Sequence, residues 1–201
     1  NLAYWHAKRS LKYGESDSLA EVKRWMEHQA YFLTEMSVEL AQERGACQRS
    51  QYTYYGKGVF PWERRSKGVD ELTSFTPELD WESLRVKMQT HGVRNATLMA
   101  VAPVESSSVV INSTNGIEMP MSLISTKESK AGSLTQVVPE YTKLKNKYQL
   151  MWDQKDCDAY LKTAAVIAAY VDQSISTNTF YNPAHFADRK VPTTLIAKNL
   201  M

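Results

Sequence analysis

The stretch that determines the fold class reads Ala96-Thr-Leu-Met-Ala-Val-Ala-Pro103-Val-Glu-Ser-Ser-Ser108. Its first seven residues form a short and nearly continuous apolar run, which Pro103 ends. A run of this kind is typical of a strand that is buried on both faces, as in a parallel sheet. The sequence therefore predicts a buried strand over 96–102 that leads directly into a polar turn.

The turn after this run has the residue types of an anion-binding site. Backbone N–H groups that lie open between a strand and a helix bind anions, and small side chains let a phosphate approach them. The candidate residues are Pro103, Val104, Glu105, Ser106 and Ser107. The alternative interpretation is that the serines only cap a short helix, and local spacing alone favours capping.

The residues before this stretch predict helices. The pattern indicates one helix over about 2–11 and a second over about 16–44, with Gly45 as its C-terminal stop. Residues 46–79 are rich in Gly, Tyr and Ser and are interpreted as a long irregular excursion. Asp80 is positioned to cap a helix that ends near Gly92. Residues 1–95 are therefore expected to be mainly helical.

The residues after this stretch mix both kinds of element. A β-branched segment runs through Ile111, and segments 122–126 and 134–138 flank Lys130-Ala131-Gly132 as a predicted hairpin. Helices are predicted from Pro139 to about 152, over 156–171 and from 191 onward, with a short strand over 174–178. Helices and strands thus alternate over the second half, which indicates the α/β class.

Composition restricts the class of function. The chain has 201 residues, 43% of them hydrophobic, and a net charge of +2 that does not indicate a nucleic-acid or membrane surface. The longest apolar run, 164–171, is far shorter than the roughly 20 residues that cross a bilayer. Two cysteines, Cys47 and Cys157, cannot form a disulfide framework or a zinc site of their own. We expect a cytoplasmic protein and, because both ends lack terminal signals, a fragment.

A longer string carries a family resemblance. Residues 97–120, which continue through Asn112-Ser-Thr-Asn-Gly-Ile-Glu118-Met-Pro120, resemble the substrate-phosphate region of the class I ribonucleotide reductase large subunit. In that family a Pro-Ser-Glu-Ser/Thr-Ser loop leads into Asn-Gly-Ile-Glu-Pro-Pro. Further matches at consistent spacing extend the resemblance over nearly the whole chain: 43–47, 91–95, 125–130, 136–139 and 172–178.

The resemblance implies both a fold and an activity. The chain resembles the second half of a ten-stranded α/β barrel, so residues 1–201 are expected to form a partial barrel domain. The family reduces ribonucleoside diphosphates to 2′-deoxy forms by radical chemistry, and Pro103, Val104, Glu105, Ser106 and Ser107 match the loop that holds the substrate diphosphate. Val104 departs from the family's Ser, which predicts weaker phosphate binding, and Met119 departs from its first Pro.

The resemblance also implies what other molecules must supply. The family's Asn-x-Cys-x-Glu finger loop and its reducing cysteines are absent here, so no catalytic residue is expected in this chain and no metal or cofactor is expected to bind it. The expected partners are a complementary large-subunit half with the finger-loop Cys, a radical-generating, metal-containing small subunit, and an external dithiol reductant. The alternative is a non-catalytic barrel half that acts as a scaffold or assembly partner.

Several other residues invite functional interpretations that their settings do not favour. Tyr54-Tyr55 looks like a radical-relay pair but lies in the irregular excursion, where loop packing is expected. Cys47 and Cys157 match no catalytic position of the family. The four histidines (His6, His28, His91 and His185) show no ligand-like spacing, so packing roles are expected.

Overall fold

The computed structural model describes residues 1–129 and 132–200 and is divided into two compact units. One unit combines Asn1–Ser18, Ala102–Thr163 and Ser176–Met201, and the other combines Leu19–Val101 with Ala164–Ile175. The helices are α1 (Leu2–Arg9), α2 (Ser16–Arg44), α3 (Trp81–His91), α4 (Glu105–Val110), α5 (Tyr141–Leu144), α6 (Asp158–Ala168) and α7 (Thr193–Leu200). The strands are β1 (Ile124–Ser129) and β2 (Gly132–Val137).

Helix α2 confirms the prediction from periodicity. It spans 29 residues, and Gly45 follows it with a left-handed φ of 79°, a conformation that glycine adopts without strain. Leu19, Ala30 and Ala41 recur on its buried face and are at most 5% exposed. Burial of this face stabilises the helix more than intrinsic propensity does, because packing dominates helix stability in proteins.

Helix α3 begins and ends where its capping residues predict. The Asp80 carboxylate accepts hydrogen bonds from the Ser83 amide at 3.0 Å and the Ser83 hydroxyl at 2.6 Å. At the other end the Gly92 amide donates to the Met88 carbonyl at 2.8 Å, with a φ of 72° at Gly92. The predicted cap and stop residues are both confirmed.

A buried polar cluster holds the end of the excursion to α2. The Glu27 carboxylate pairs with the Lys23 ammonium at 2.6 Å, and both side chains are at most 5% exposed. The other carboxylate oxygen of Glu27 accepts from the Glu78 amide, the Leu79 amide and the Trp81 indole at 2.7, 3.2 and 3.1 Å. Burial acts to raise the pKa of Glu27, but these donors outweigh it and lower the pKa, so Glu27 remains ionised. We refer to Lys23, Glu27 and the three donors as the Glu27 cluster.

The excursion itself is irregular, as predicted, and is built around aromatic contacts. Four short 3₁₀ turns lie between Ser50 and Glu71. The ring of Phe60 packs against Trp81 of α3 at a centroid distance of 4.6 Å, and Trp62 packs against the same indole at 5.8 Å. Edge contacts of this kind add to the stabilisation from buried area.

The unit that contains α1 and the first residues of α6 has its own core. One close approach in it requires glycine: at Gly14, φ is 74° and a Cβ would lie 2.8 Å from the Ala159 Cα atom. A larger residue there would force α6 away. The core residues are Ala3, Ala7, Tyr13, Met119, Leu144, Tyr148, Met151, Cys157, Tyr160 and Phe180.

The predicted hairpin is confirmed, although its turn is not described. Strands β1 and β2 pair antiparallel, with Ile124 opposite Val137 and Ser129 opposite Gly132. The predicted turn residues Lys130 and Ala131 lie outside the described residues. Within residues 1–129 and 132–200 this hairpin is the whole of the named sheet, so the fold mixes helices with a small amount of strand.

The predicted strands over 96–102 and 174–178 are not formed, which corrects the sequence-based prediction. The carboxylate of Asp172 accepts hydrogen bonds from the Leu98 and Met99 amides at 2.7 and 3.1 Å, and the Asp172 amide donates to the Met99 carbonyl at 3.0 Å. A carboxylate side chain thus occupies donors that a strand neighbour binds in a sheet. The apolar run identified a buried segment but not its hydrogen-bonding partner.

Two further predictions were wrong in the second half. The β-branched residues up to Val110 belong to helix α4, and the helix expected over 139–152 is reduced to α5 and a 3₁₀ turn over Met151–Asp153. Tertiary contacts replace the helical ones there: the Gln149 side chain accepts from the Tyr13 amide at 2.6 Å, and the Met151 amide donates to the Pro120 carbonyl at 2.9 Å.

The remaining helix predictions hold to within a few residues. Helix α6 lies inside the predicted 156–171, and α7 inside the predicted final helix, whose predicted end at Met201 lies outside the described residues. None of the described helices is both long enough and apolar enough to cross a membrane.

Candidate functional site

The five predicted loop residues lie at the N-terminus of helix α4. Val104 occupies the N-cap position with φ −120° and ψ 35°, and its side chain makes no capping hydrogen bond. Valine has no hydrogen-bonding group in its side chain, so it cannot satisfy the amides of the first turn. Glu105, Ser106 and Ser107 are the first three helical residues. The serines therefore do not occupy the cap position.

The hydroxyls of Ser107 and Ser108 donate to backbone carbonyls three residues earlier in the chain. The Ser107 hydroxyl lies 3.3 Å from the Val104 carbonyl oxygen, and the Ser108 hydroxyl lies 2.9 Å from that of Glu105. Ser108 is only 4% exposed, and its amide donates to the Val104 carbonyl at 2.8 Å. Ser108 is thus on the buried side of the helix, whereas Ser106 and Ser107 are exposed.

The amides of Ser106 and Ser107 belong to the first turn of helix α4. Among the residues that the structure describes, no acceptor is recorded for either amide. The first amides of a helix have no partner within the helix, and two adjacent ones point in the same direction. This arrangement can bind one anionic group through two N–H donors.

The segment that follows α4 is held by contacts to the N-terminal helix. The Thr114 hydroxyl oxygen accepts from the Tyr4 amide at 3.1 Å, and the Gly116 carbonyl accepts from the Leu2 amide at 3.1 Å. Gly116 has a positive φ of 44°, a conformation that glycine adopts without strain. The buried Tyr13 hydroxyl donates to the Ile117 carbonyl at 3.0 Å. The turn after the candidate site is therefore fixed by α1.

Burial determines the protonation state of this tyrosine. Burial raises the pKa of Tyr13 well above its ordinary value, and nearby Tyr160 and Glu118 raise it further. The phenol therefore stays protonated and remains a donor to the Ile117 carbonyl throughout the physiological pH range.

The structure brings together two segments that the family resemblance had matched separately. The Asn178 side-chain amide donates to the Glu118 carboxylate at 2.8 Å. Sequence reasoning placed Glu118 in the Asn-Gly turn and Asn178 near a late strand, without a link between them. Neither residue type nor local spacing signals a contact between residues 60 positions apart.

Tyr54, Tyr55 and Cys157, for which functional roles were considered, make contacts within the folded chain. Tyr55 is 4% exposed and hydrogen-bonded to Asp172; burial first, and then that carboxylate, raise its pKa above the ordinary value. Tyr54 is exposed, with the Arg64 guanidinium 3.8 Å from its ring centroid. Cys157 is fully buried, and its sulfur accepts from the Asn199 side chain at 3.3 Å.

The positions of the His, Cys, Asp and Glu side chains determine whether the chain can hold a metal ion. In the described part of the chain, no group of three or more His, Cys, Asp and Glu side chains is placed to hold a metal ion. His6 is buried instead: its Nε2 atom lies 3.0 Å from the Ser18 hydroxyl, and burial lowers its pKa to about 4.

Comparison with known proteins gives consistent matches. A family model described as the ribonucleotide reductase barrel domain matches residues 1–200. Ribonucleoside-diphosphate reductase subunit alpha of Buchnera aphidicola (subsp. Baizongia pistaciae) is 44% identical to this chain over 201 residues. Ribonucleoside-diphosphate reductase 1 subunit alpha is 41% identical in Salmonella typhimurium and 40% identical in Escherichia coli. Each match covers 100% of this chain and 26% of the relative. The chain thus spans about a quarter of the length of the curated relatives it matches.

Proposed function

The chain belongs to the ribonucleotide reductase barrel-domain family, and on that basis we propose that it is a segment of a ribonucleoside-diphosphate reductase large subunit. In this proposal it contributes the second half of a ten-stranded barrel that the rest of the subunit completes. Its role is to hold the diphosphate of the substrate while the ribose is reduced to the 2′-deoxy form. Pro103, Val104, Glu105, Ser106 and Ser107 form the diphosphate loop.

One observation supports this role above all others: the uncapped first turn of α4. The Ser106 and Ser107 amides have no recorded acceptor among the described residues, and both residues are exposed. A hydrogen bond from an amide to a charged phosphate oxygen contributes roughly 1.5–3 kcal/mol. Two such bonds are sufficient to orient one phosphoryl group.

The other parts of the reaction lie outside this chain in our proposal. A cysteine of the complementary large-subunit segment removes the 3′ hydrogen as a thiyl radical, a thiol pair there reduces the 2′ carbon, and the first cysteine then returns the hydrogen to the 3′ carbon and becomes a thiyl radical again. An external dithiol supplies the two electrons and two protons, and the 2′ hydroxyl leaves as water. A metal-containing small subunit generates the radical. The residues of this chain bind and orient the substrate.

Val104 modifies the proposed loop. Because valine stands where the family usually has serine, one hydroxyl donor to the diphosphate is lost while the backbone N–H is kept. We therefore expect weaker diphosphate binding than in relatives with serine at this position. The same substitution motivates the second candidate function, a non-catalytic barrel half that only supports assembly.

The test separates the amide from the hydroxyl at a single position. Ser106→Pro removes the N–H at a position in the first helical turn, where proline is tolerated, whereas Ser106→Ala removes only the hydroxyl. Both variants are assembled with the part of the Escherichia coli relative that lies outside the match, and CDP binding is measured by calorimetry. We expect Ser106→Pro to weaken binding by about 10- to 100-fold and Ser106→Ala by less than about fivefold.

Each result decides between the two functions. Equal CDP affinity for the unsubstituted chain and Ser106→Pro contradicts the diphosphate loop. An assembly that forms normally but binds no CDP even without substitution supports the scaffold function. Circular dichroism of both variants verifies that α4 and its surroundings remain folded.

A further inference from the structure

An exposed aromatic ring in the irregular excursion is contacted by two cations. Tyr54 is 53% exposed, and its ring centroid lies 3.8 Å from the Arg64 guanidinium carbon and 5.6 Å from the Lys57 ammonium nitrogen. Within residues 1–129 and 132–200, neither cation forms an ion pair with a carboxylate. We call Tyr54, Lys57 and Arg64 the Tyr54 cluster.

The carboxylates around the cluster are bound by other groups. Glu63, which directly precedes one of the cluster cations, pairs with Arg85 at 2.7 Å. Asp70, the next carboxylate along the chain, pairs with Arg65 at 2.6 Å. Asp172 accepts from two backbone amides and from a buried phenol. The chain therefore balances the charges of Arg65 and Arg85 with acidic partners but leaves the cluster cations at the surface.

The two cluster cations repel each other. Both charges lie close to one ring centroid, so they are less than about 10 Å apart, which is the Debye length at 0.1 M salt. Cation–π attraction to the ring offsets part of this repulsion. A bound anion would offset the rest through charge-assisted hydrogen bonds, so the cluster favours a negatively charged ligand.

The backbone that carries the cluster is fixed by the fold. The Tyr54 carbonyl accepts from the Lys57 and Val59 amides at 3.0 and 2.9 Å. The 3₁₀ turn Pro61–Arg64 is capped by the Glu63 carboxylate, which accepts from the amide of the preceding N-cap residue at 2.8 Å. A surface whose groups are already ordered loses less conformational entropy when it binds a partner.

We propose that the Tyr54 cluster binds an acidic segment of another protein. All three of its side chains are exposed, as is Tyr52, which is 74% exposed, so the cluster is an open surface that an extended chain can contact. Tyrosine and arginine are the residue types that contribute most often to protein interfaces. Nucleic acids are a poorer fit, because they are bound through about 6–10 phosphate contacts and the cluster offers two cations.

This proposal goes beyond the proposed function and does not depend on it. The cluster belongs to the unit that combines Leu19–Val101 with Ala164–Ile175, whereas α4 belongs to the other unit. CDP affinity of Ser106→Pro tests only the diphosphate loop, and peptide affinity of the cluster variants tests only the cluster. The two proposals can therefore fail separately.

The test is a titration of the full chain, labelled with ¹⁵N, with a hexaglutamate peptide while amide chemical shifts are recorded. Inorganic phosphate and an oligothymidylate are titrated in parallel. Arg64→Gln and Lys57→Gln each remove one cluster charge. Arg24→Gln is the matched control, because it removes one exposed charge that is already paired with Glu78 at 3.4 Å.

We expect the peptide to move the amide signals of residues 52–64. Its affinity should fall at least about fivefold in Arg64→Gln and Lys57→Gln and change less than about twofold in Arg24→Gln. Tyr54→Leu removes the ring that orients the guanidinium and should weaken binding at least about threefold. Tyr54→Phe keeps the ring and should bind as the unsubstituted chain does.

Three results would overturn the proposal. The first is that millimolar peptide leaves the signals of residues 52–64 unmoved. The second is that both cluster variants bind the peptide as well as Arg24→Gln does. The third is that phosphate or the oligothymidylate binds the cluster more tightly than the peptide. Urea midpoints verify that every variant remains folded.

Discussion

The Glu27 cluster and the start of helix α4 use the same chemical groups in opposite ways. In the cluster, two backbone amides, an indole N–H and an ammonium group converge on one carboxylate that is 1% exposed. At α4, two adjacent amides lie at an exposed surface without a recorded acceptor in the described residues. The cluster closes its hydrogen bonds within the chain, whereas we propose that the donors at the start of α4 bind a ligand.

The difference teaches how to separate structural from functional polar groups in this protein. A buried donor without an acceptor is strongly destabilising, so buried amides are paired wherever the fold depends on them. An exposed amide is bonded to water and can exchange that water for a ligand at little cost to stability. Substitutions in the two regions should therefore affect different measurements.

The largest expected effect is on stability, at Glu27. Glu27→Ala removes the shared acceptor of the Glu78 amide, the Leu79 amide and the Trp81 indole, and leaves the buried Lys23 ammonium with the Thr76 carbonyl at 2.8 Å and the Glu78 carboxylate at 3.5 Å. This loss should lower the free energy of unfolding by about 3 kcal/mol. Urea denaturation measures this, with Glu39→Ala on the exposed side of the same helix as the control. A loss below about 1 kcal/mol would show that the cluster is not required for folding.

The next effect is the acid sensitivity that His6 introduces. Burial lowers its pKa from the ordinary 6.5 to about 4, so the native state keeps it neutral and the unfolded state binds its proton first. Stability is therefore lost as the pH falls from 6.5 towards 4, by at most about 3 kcal/mol.

The measurement for His6 is a comparison of two pH profiles. His6→Gln keeps a polar group that can reach the Ser18 hydroxyl but does not titrate. The free energy of unfolding is measured from pH 7.5 to 4 for the unsubstituted chain and for His6→Gln. The two profiles should diverge below pH 6.5, because the unsubstituted chain loses more stability than the variant. Parallel profiles would contradict the buried neutral state of His6.

The smallest effect concerns the cap of α4. Val104→Ser places a hydroxyl at the N-cap, which should stabilise the free chain by about 1 kcal/mol and strengthen CDP binding in the assembly with the remainder of the subunit. Thermal denaturation and calorimetry measure the two changes. Unchanged values in both would indicate that the first-turn amides already have another acceptor, which would remove the contrast with the Glu27 cluster.

The local elements of the fold were predictable because their signals are local. Asp80, Gly92 and Gly45 mark helix ends through hydrogen bonds and φ angles that span only a few residues. The hairpin followed from two alternating segments around a short turn. These features depend on residues that are neighbours in the sequence, so the sequence alone is sufficient to predict them.

The errors came from contacts between distant residues. Asp172 binds the amides of Leu98 and Met99, 74 and 73 positions away respectively, in place of the predicted hydrogen bonds to a neighbouring strand. Gln149 likewise binds the Tyr13 amide, 136 positions away, where a helix had been expected. Residue type and spacing carry no signal for such pairs, because their distance is set by packing.

The residues of the proposed diphosphate loop were selected by resemblance, and their geometry could not be predicted from the sequence. The family resemblance selected residues 103–107, and the structure gives Val104 as the cap and the serines as first-turn residues. The alternative interpretation had assumed a serine at the N-cap position of the helix. Only the backbone conformation could show that the hydroxyls of Ser107 and Ser108 donate to backbone carbonyls, while the amides of Ser106 and Ser107 have no acceptor among the described residues.

The most direct test of the central claim observes these amides themselves. The full chain, labelled with ¹⁵N, is titrated with inorganic pyrophosphate while amide chemical shifts are recorded. We predict that the Ser106 and Ser107 signals move progressively and that those of Glu78 and Leu79, which are bonded to Glu27, stay fixed. Stationary Ser106 and Ser107 signals at saturating pyrophosphate would contradict the account.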